Sequence, residues 1–166
     1  MPRLFFAVRP PEDVIAELMS LRRKDQRGVR FVHPEQWHVT LRFLGEADID
    51  ELEHVMEGVA LPAVTAELGP AVDVLGERVL VVPVRGLDPL AEVVVAATRH
   101  VGEPPPRRRG ADHLTIARLQ RGARPPPAIG VLVSARFEVH ELELVRSRLD
   151  PAGARHDVVA SWSVPS

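Results

Sequence analysis

Two histidines stand in the same local frame, His38-Val39-Thr40-Leu41 and His113-Leu114-Thr115-Ile116. Threonine occurs only four times in the 166 residues, so finding it twice at this spacing exceeds what composition supplies. In an extended strand the side chains alternate faces. Each imidazole then shares a face with its threonine hydroxyl, and Val39, Leu41, Leu114 and Ile116 turn to the other. Two such strands facing across a groove offer two imidazoles and two hydroxyls. With a reference pKa of about 6.5, one imidazole can be neutral and another protonated in the same site. That is the equipment for in-line displacement at phosphorus. The neutral ring takes a proton from attacking water and the imidazolium protonates the oxygen leaving on the far side. The threonine hydroxyls can donate to the non-bridging oxygens. The plain alternative is a pair of half-buried histidines, each bonded to its own threonine.

A metal centre is the competing use of two histidines. Zinc takes three or four ligands. The nearest carboxylates in sequence are Glu35, Glu46 and Asp112, and no His-x-x-x-His spacing occurs. No metal and no other cofactor is expected. Asp112 alternates away from His113 and is not expected to orient it. His33, His54, His100, His140 and His156 lack a matching partner and read as surface or structural, and Trp37 reads as core.

Something must hold the two motifs opposite each other, and the chain repeats. Leu4 to Arg9 and Leu80 to Arg85 are apolar runs ending in arginine, 76 residues apart; the histidine motifs are 75 apart. Each run leads through a turn into a helical pattern, Val14 to Leu21 and Leu90 to His100. One strand–helix–strand unit used twice accounts for both landmarks. Asp48 to Val59 should be a further helix with an aspartate N-cap. Val72 to Val82 reads as a hairpin turning at Gly76-Glu77, preceded by short or irregular strands from Ala60. Phe137 to Val145 alternates as one strand with a wet face, and Val158 to Val164 supplies a last strand. Glu103 to Ala111 and Arg121 to Gly130 should be loops, the latter stiffened by Pro125-Pro126-Pro127.

The totals bound the rest. A chain of this length with 45% hydrophobic residues can bury one core. The net charge of −2 provides no global field for nucleic acid, so any RNA contact must be local. Lys24 is the sole lysine beside abundant arginine and 16 prolines, a compositional bias in which arginine alone does not signal phosphate binding. The absence of cysteine removes disulfides, thiolate metal sites and cysteine nucleophiles. No signal peptide and no apolar run of membrane-spanning length is apparent, which points to a cytoplasmic protein with no membrane partner.

With these motifs in view, the chain resembles the 2H phosphoesterase superfamily, and within it the RNA 2′,3′-cyclic phosphodiesterases also called 2′-5′ RNA ligases. The likeness rests on Phe5 to Val8, Val29 to Val32, His38 to Glu46, His113 to Arg118, Ser147 to Leu149 and Gly153 to His156, so it runs the length of the chain. It implies an α+β fold over residues 1–166 as a single two-lobed domain. The two lobes would be pseudo-symmetric, with antiparallel sheets lining a central cleft and helices outside. It implies hydrolysis of a 2′,3′-cyclic phosphate on RNA ends or nucleotides to a 2′-phosphomonoester, with His38 as general acid and His113 as general base. Thr40 and Thr115 would contact the phosphate. Five residues beyond each histidine, Phe43 and Arg118 match base-stacking and phosphate-contacting positions. An odd step puts them on the wrong face of a regular strand, where Arg42 would take the place of Phe43, so a bulge is required. Relatives carry an aromatic and a proline before the second motif; here the residues are Arg109-Gly110-Ala111-Asp112. A monomer with no obligate protein partner is expected. The alternatives are ligation by the reverse reaction, a non-catalytic RNA-end-binding module, and a phosphodiesterase for a small cyclic-phosphate metabolite.

Overall fold

Leu4, Phe6 and Val8 alternate with Phe5 and Ala7 along β1 (Arg3–Val8), and all five are buried, so the strand needs cover on both faces. It lies between β3 (Val39–Glu46) and β9 (Glu141–Asp150), antiparallel to both. The computed structural model describes residues 1–21, 26–151 and 153–166. The remaining strands are β2 (Val29–Phe31), β4 (Thr65–Leu68), β5 (Asp73–Leu75), β6 (Val79–Arg85), β7 (Asp112–Leu119), β8 (Ala135–Glu138) and β10 (Gly153–Ser163). They form one antiparallel sheet in the order β10-β9-β1-β3-β7-β6-β4-β8, with β2 added on β7 and β5 on β6.

The helices are α1 (Glu12–Met19), α2 (Ile49–Met56) and α3 (Asp88–Thr98). Asp48 caps α2 as its sequence suggests, its carboxylate accepting the Asp50 amide at 2.9 Å. α3 lies against β3 and α2, and α1 against β8. Between helices and sheet sits the main core, which includes Leu4, Phe6, Val8, Trp37, Val39, Leu114 and Ile116. The opposite face carries a small separate cluster of Phe5, Ala7 and Val145. No helix among the described residues is long and apolar enough to cross a membrane.

The chain is α+β with helices on the outer face of a curled antiparallel sheet, as the sequence implied. The hairpin also forms, Gly76 and Glu77 both taking positive φ between β5 and β6. Phe137 to Val145 is not one strand. It breaks at Val139-His140 because its halves have different partners: β8 pairs with β4, and β9 with β1 and β10. Leu142 to Val145 are buried without interruption, so the expected wet face is missing there.

Candidate active site

The two histidine strands are neighbours. β3 and β7 pair at Val39 opposite Leu114, antiparallel, and both of these side chains point into the core. Continued one residue either way, that register sets His38 opposite Thr115 and Thr40 opposite His113, all four on the face away from the core. Each histidine therefore confronts the threonine of the other motif.

The rings are held from behind. His38 donates from Nδ1 to the Gln36 carbonyl at 2.8 Å, which leaves Nε2 to meet Thr40 Oγ1 at 3.1 Å. A carbonyl only accepts, so the neutral ring carries its proton on Nδ1 and keeps a lone pair on Nε2. His113 is built the same way, with Nδ1 3.4 Å from the Ala111 carbonyl, again two residues back. Both imidazoles thus turn the same nitrogen toward the cleft. Burial pushes the His38 imidazole down to about 4, helped by the charges of His156, Arg118 and Arg9 and opposed by the Gln36 carbonyl.

Bulges supply the phase change that Phe43 and Arg118 require. In β3, Ala7 faces Thr40 and Phe6 faces Arg42, so Leu41 is the extra residue; a second shift leaves Leu44 extra. In β7, Leu80 faces Ala117 and Val81 faces Thr115, so Ile116 is extra. Each bulge turns the odd step into an even one. Phe43 therefore shares the Thr40 face, 44% exposed, with the Arg3 guanidinium 5.6 Å from its ring centre. Arg118 likewise shares the face of His113 and Thr115 and is exposed. Arg42, which regular alternation would have put beside His38, is 3% exposed on the core side. There it donates to the Thr98 and Val101 carbonyls at the end of α3, to Thr98 Oγ1 and to the Phe43 carbonyl.

Two further groups belong to this face. His156, read from sequence as surface or structural, packs edge-on against His38 and Phe5, with ring centres 5.2 Å from each. Phe5 itself lies 5.0 Å from His38. Burial, then the nearby Arg118 charge, lowers the His156 imidazole, and Asp157 opposes. Arg9 makes a two-pronged ion pair with Glu143, at 2.6 and 2.9 Å, in which the glutamate is 5% exposed. His156 ends one of the stretches that carry the resemblance, but no partner motif gave it a role, and it reaches the site through the β10–β9–β1 pairing. Arg9 had a faint signal, as the arginine that closes the first of the two repeated apolar runs.

Asp112 faces away from the cleft, as alternation requires. It accepts from Arg109 at 2.7 Å, and Arg109 also bonds Asp88 and the Leu41 carbonyl. Burial pushes the Asp112 carboxyl up while the Arg109 hydrogen bond pulls it down. The Arg109-Gly110-Ala111-Asp112 stretch thereby ties the second motif to the backbone of the first. Trp37 is core, 1% exposed. Among the described residues, no three His, Asp or Glu side chains gather as metal ligands.

Comparisons with known proteins converge. The family described as LigT like Phosphoesterase matches residues 8–67. An RNA 2′,3′-cyclic phosphodiesterase of Thermus thermophilus is 34% identical, the match covering 98% of this chain and 90% of that protein. One from Geobacillus stearothermophilus is 30% identical across 80% of this chain and 46% of its own length. Among solved structures, one from Thermus thermophilus is similar with TM-score 0.79 and 29% identity, over 98% of this chain and 97% of that one. Escherichia coli LigT in its apo form gives TM-score 0.79 and 26% identity, over 99% and 98%.

Proposed function

This chain belongs to the LigT-like phosphoesterase family, and on that premise we propose that it hydrolyses the 2′,3′-cyclic phosphate of RNA ends or nucleotides to a 2′-phosphomonoester. The observation that carries the mechanism is the Val39–Leu114 register, with its consequence that each histidine confronts the other motif's threonine. A cyclic phosphate seated between the four side chains has an Nε2 on either side of phosphorus, the arrangement an in-line displacement uses. His113 takes a proton from water as its oxygen bonds to phosphorus. The bond from phosphorus to the 3′ oxygen breaks, and His38 protonates that oxygen. Thr40 and Thr115 donate to the non-bridging oxygens. Phe43 stacks under the base, and Arg118 balances phosphate charge. The scheme calls on no metal. A 5′-hydroxyl attacking in place of water, with the 3′ oxygen again leaving, would run through the same groups to form a 2′-5′ linkage.

His38 is neutral in the free protein at pH 7, so its acid role depends on the substrate. The phosphate anion brought between the rings favours the imidazolium and raises the His38 pKa toward the working range. Residues 1–166 act in this reading as one two-lobed domain whose halves meet at the β3–β7 seam. Both histidines come from one chain, so a monomer suffices.

The test is an oligonucleotide ending in adenosine 2′,3′-cyclic phosphate, incubated in EDTA, with 2′- and 3′-phosphate products resolved. The 2′-phosphate should form, and His38→Ala and His113→Ala should each lower the rate by about 10²–10⁴-fold with the fold intact. Near-full activity in either variant would sink the mechanism, as would turnover only after metal is added.

A further inference from the structure

The histidine face does not end at Arg118. β2 pairs with β7 so that Arg30 stands directly across from Arg118, and cross-strand partners share a face. Arg30 is therefore on the cleft side and exposed. The two arginines, with Phe31, His33 and Gln36, line a pocket of about 290 Å³ with no carboxylate among its described lining residues. Gln36 joins this pocket to the reacting centre, because its carbonyl holds His38 Nδ1. Gly153 leaves room for the Arg30 guanidinium, which a Cβ at that position would strike.

The positive charge continues past the pocket. Arg27, three residues before Arg30, and Arg121, three after Arg118, line the next pocket together with Arg124, with no carboxylate among the described lining residues. Three residues of chain reach about 10 Å at most. The Gln26 side chain donates to the Arg124 carbonyl at 2.7 Å and fixes that loop against the start of β2. All five arginines are exposed. A chain of net charge −2 thus gathers five exposed arginines on a strip that starts at the site and leads away along the β2–β7 edge, with Glu77 beyond Arg121.

We propose that this strip is a track for the phosphodiester backbone of single-stranded RNA, Arg118 staying with the cyclic phosphate while Arg30 takes the phosphate 5′ of the terminal nucleotide and Arg27, Arg121 and Arg124 the phosphates beyond. The inference rests on the cyclic-phosphate reading of the site and narrows it: the substrate is a polynucleotide end rather than a free nucleotide or a small metabolite. Arginine suits the task, since its planar fork pairs with phosphate oxygens two at a time.

The experiment compares four substrates: adenosine 2′,3′-cyclic phosphate, the same compound bearing a 5′-phosphate, a dinucleotide and a hexanucleotide, each ending in that cyclic phosphate. Both kcat/KM and, by anisotropy with the labelled 2′-phosphate hexanucleotide, binding are followed against salt. The 5′-phosphate should raise kcat/KM by about ten-fold, and Arg30→Gln should remove most of that gain. Arg121→Gln with Arg124→Gln should weaken the hexanucleotide alone, and each lost phosphate contact should flatten the log–log salt slope by about 0.7. A gain from the 5′-phosphate without a further gain in the hexanucleotide would overturn the track, leaving a single phosphate subsite. Equal kcat/KM across the series would overturn it entirely while leaving the hydrolysis reading intact. Length-dependent, arginine-dependent binding without turnover of any substrate would uphold the track and overturn the hydrolysis. Thermal melting of each variant distinguishes lost contacts from lost fold.

Discussion

Acidifying the protein from pH 7 to pH 5 sets the buried imidazole of His38 against its own protonation. In the unfolded chain this histidine titrates near 6.5, whereas burial holds it at about 4 in the fold. Between those values the unfolded chain takes up a proton that the folded chain refuses, so stability falls as pH drops through the window. Above about 6.5 both states are neutral and the difference vanishes. The linkage relation gives a loss of about 2 kcal/mol at pH 5 and about 3 kcal/mol near pH 4. Urea unfolding of the wild type and of His38→Gln at pH 7 and pH 5 isolates the effect, because the groups away from the site contribute alike to both proteins. The wild type should lose about 2 kcal/mol more than the variant over that interval. Parallel losses in the two proteins would refute the reasoning. So would an NMR titration placing the folded imidazole near 6.5. His156→Gln removes a like charge and should move the His38 titration upward, and so should bound 2′-AMP, by the same electrostatics that the proposed acid role requires.

Two other perturbations separate substrate contact from scaffold. Phe43→Ala should raise KM for adenosine 2′,3′-cyclic phosphate by roughly ten-fold, the size of one lost base stack, with little change in Tm because the ring is 44% exposed. Steady-state kinetics beside a melting curve checks both halves of that statement. Arg42→Met should do the reverse. It orphans the Thr98 and Val101 carbonyls and lowers stability by roughly 1–3 kcal/mol in denaturant, with kcat of the folded fraction kept.

Much of this was legible in the chain because it was local. The paired His-x-Thr frames, the α2 cap at Asp48 and the turn at Gly76-Glu77 each depend on a few neighbouring residues, and each appears where the sequence puts it. What escaped depends on partners far along the chain. Phe137 to Val145 alternates smoothly, yet it is divided between β4 at one end of the sheet and β1 nearer the other. His156 ends a stretch that carries the resemblance, yet its place beside His38 depends on two long-range strand pairings. Regular alternation would put Arg42 rather than Phe43 beside His38, and the bulge that reverses this is a departure from regularity that the sequence pattern does not place.

Leu41 and Ile116, the first bulge residue of each motif, are separated by the same 75-residue offset as the histidines. The backbone therefore presents one template twice: histidine, threonine, a slipped step, then a side chain returned to the cleft. At that last position the halves differ, carrying a phenyl ring in one and a guanidinium in the other. A substrate with a flat apolar end and a charged end meets a frame that is nearly symmetric in shape and polarised in chemistry. Exchanging the residues at positions 43 and 118 would leave the frame in place and reverse the direction in which a substrate reads it.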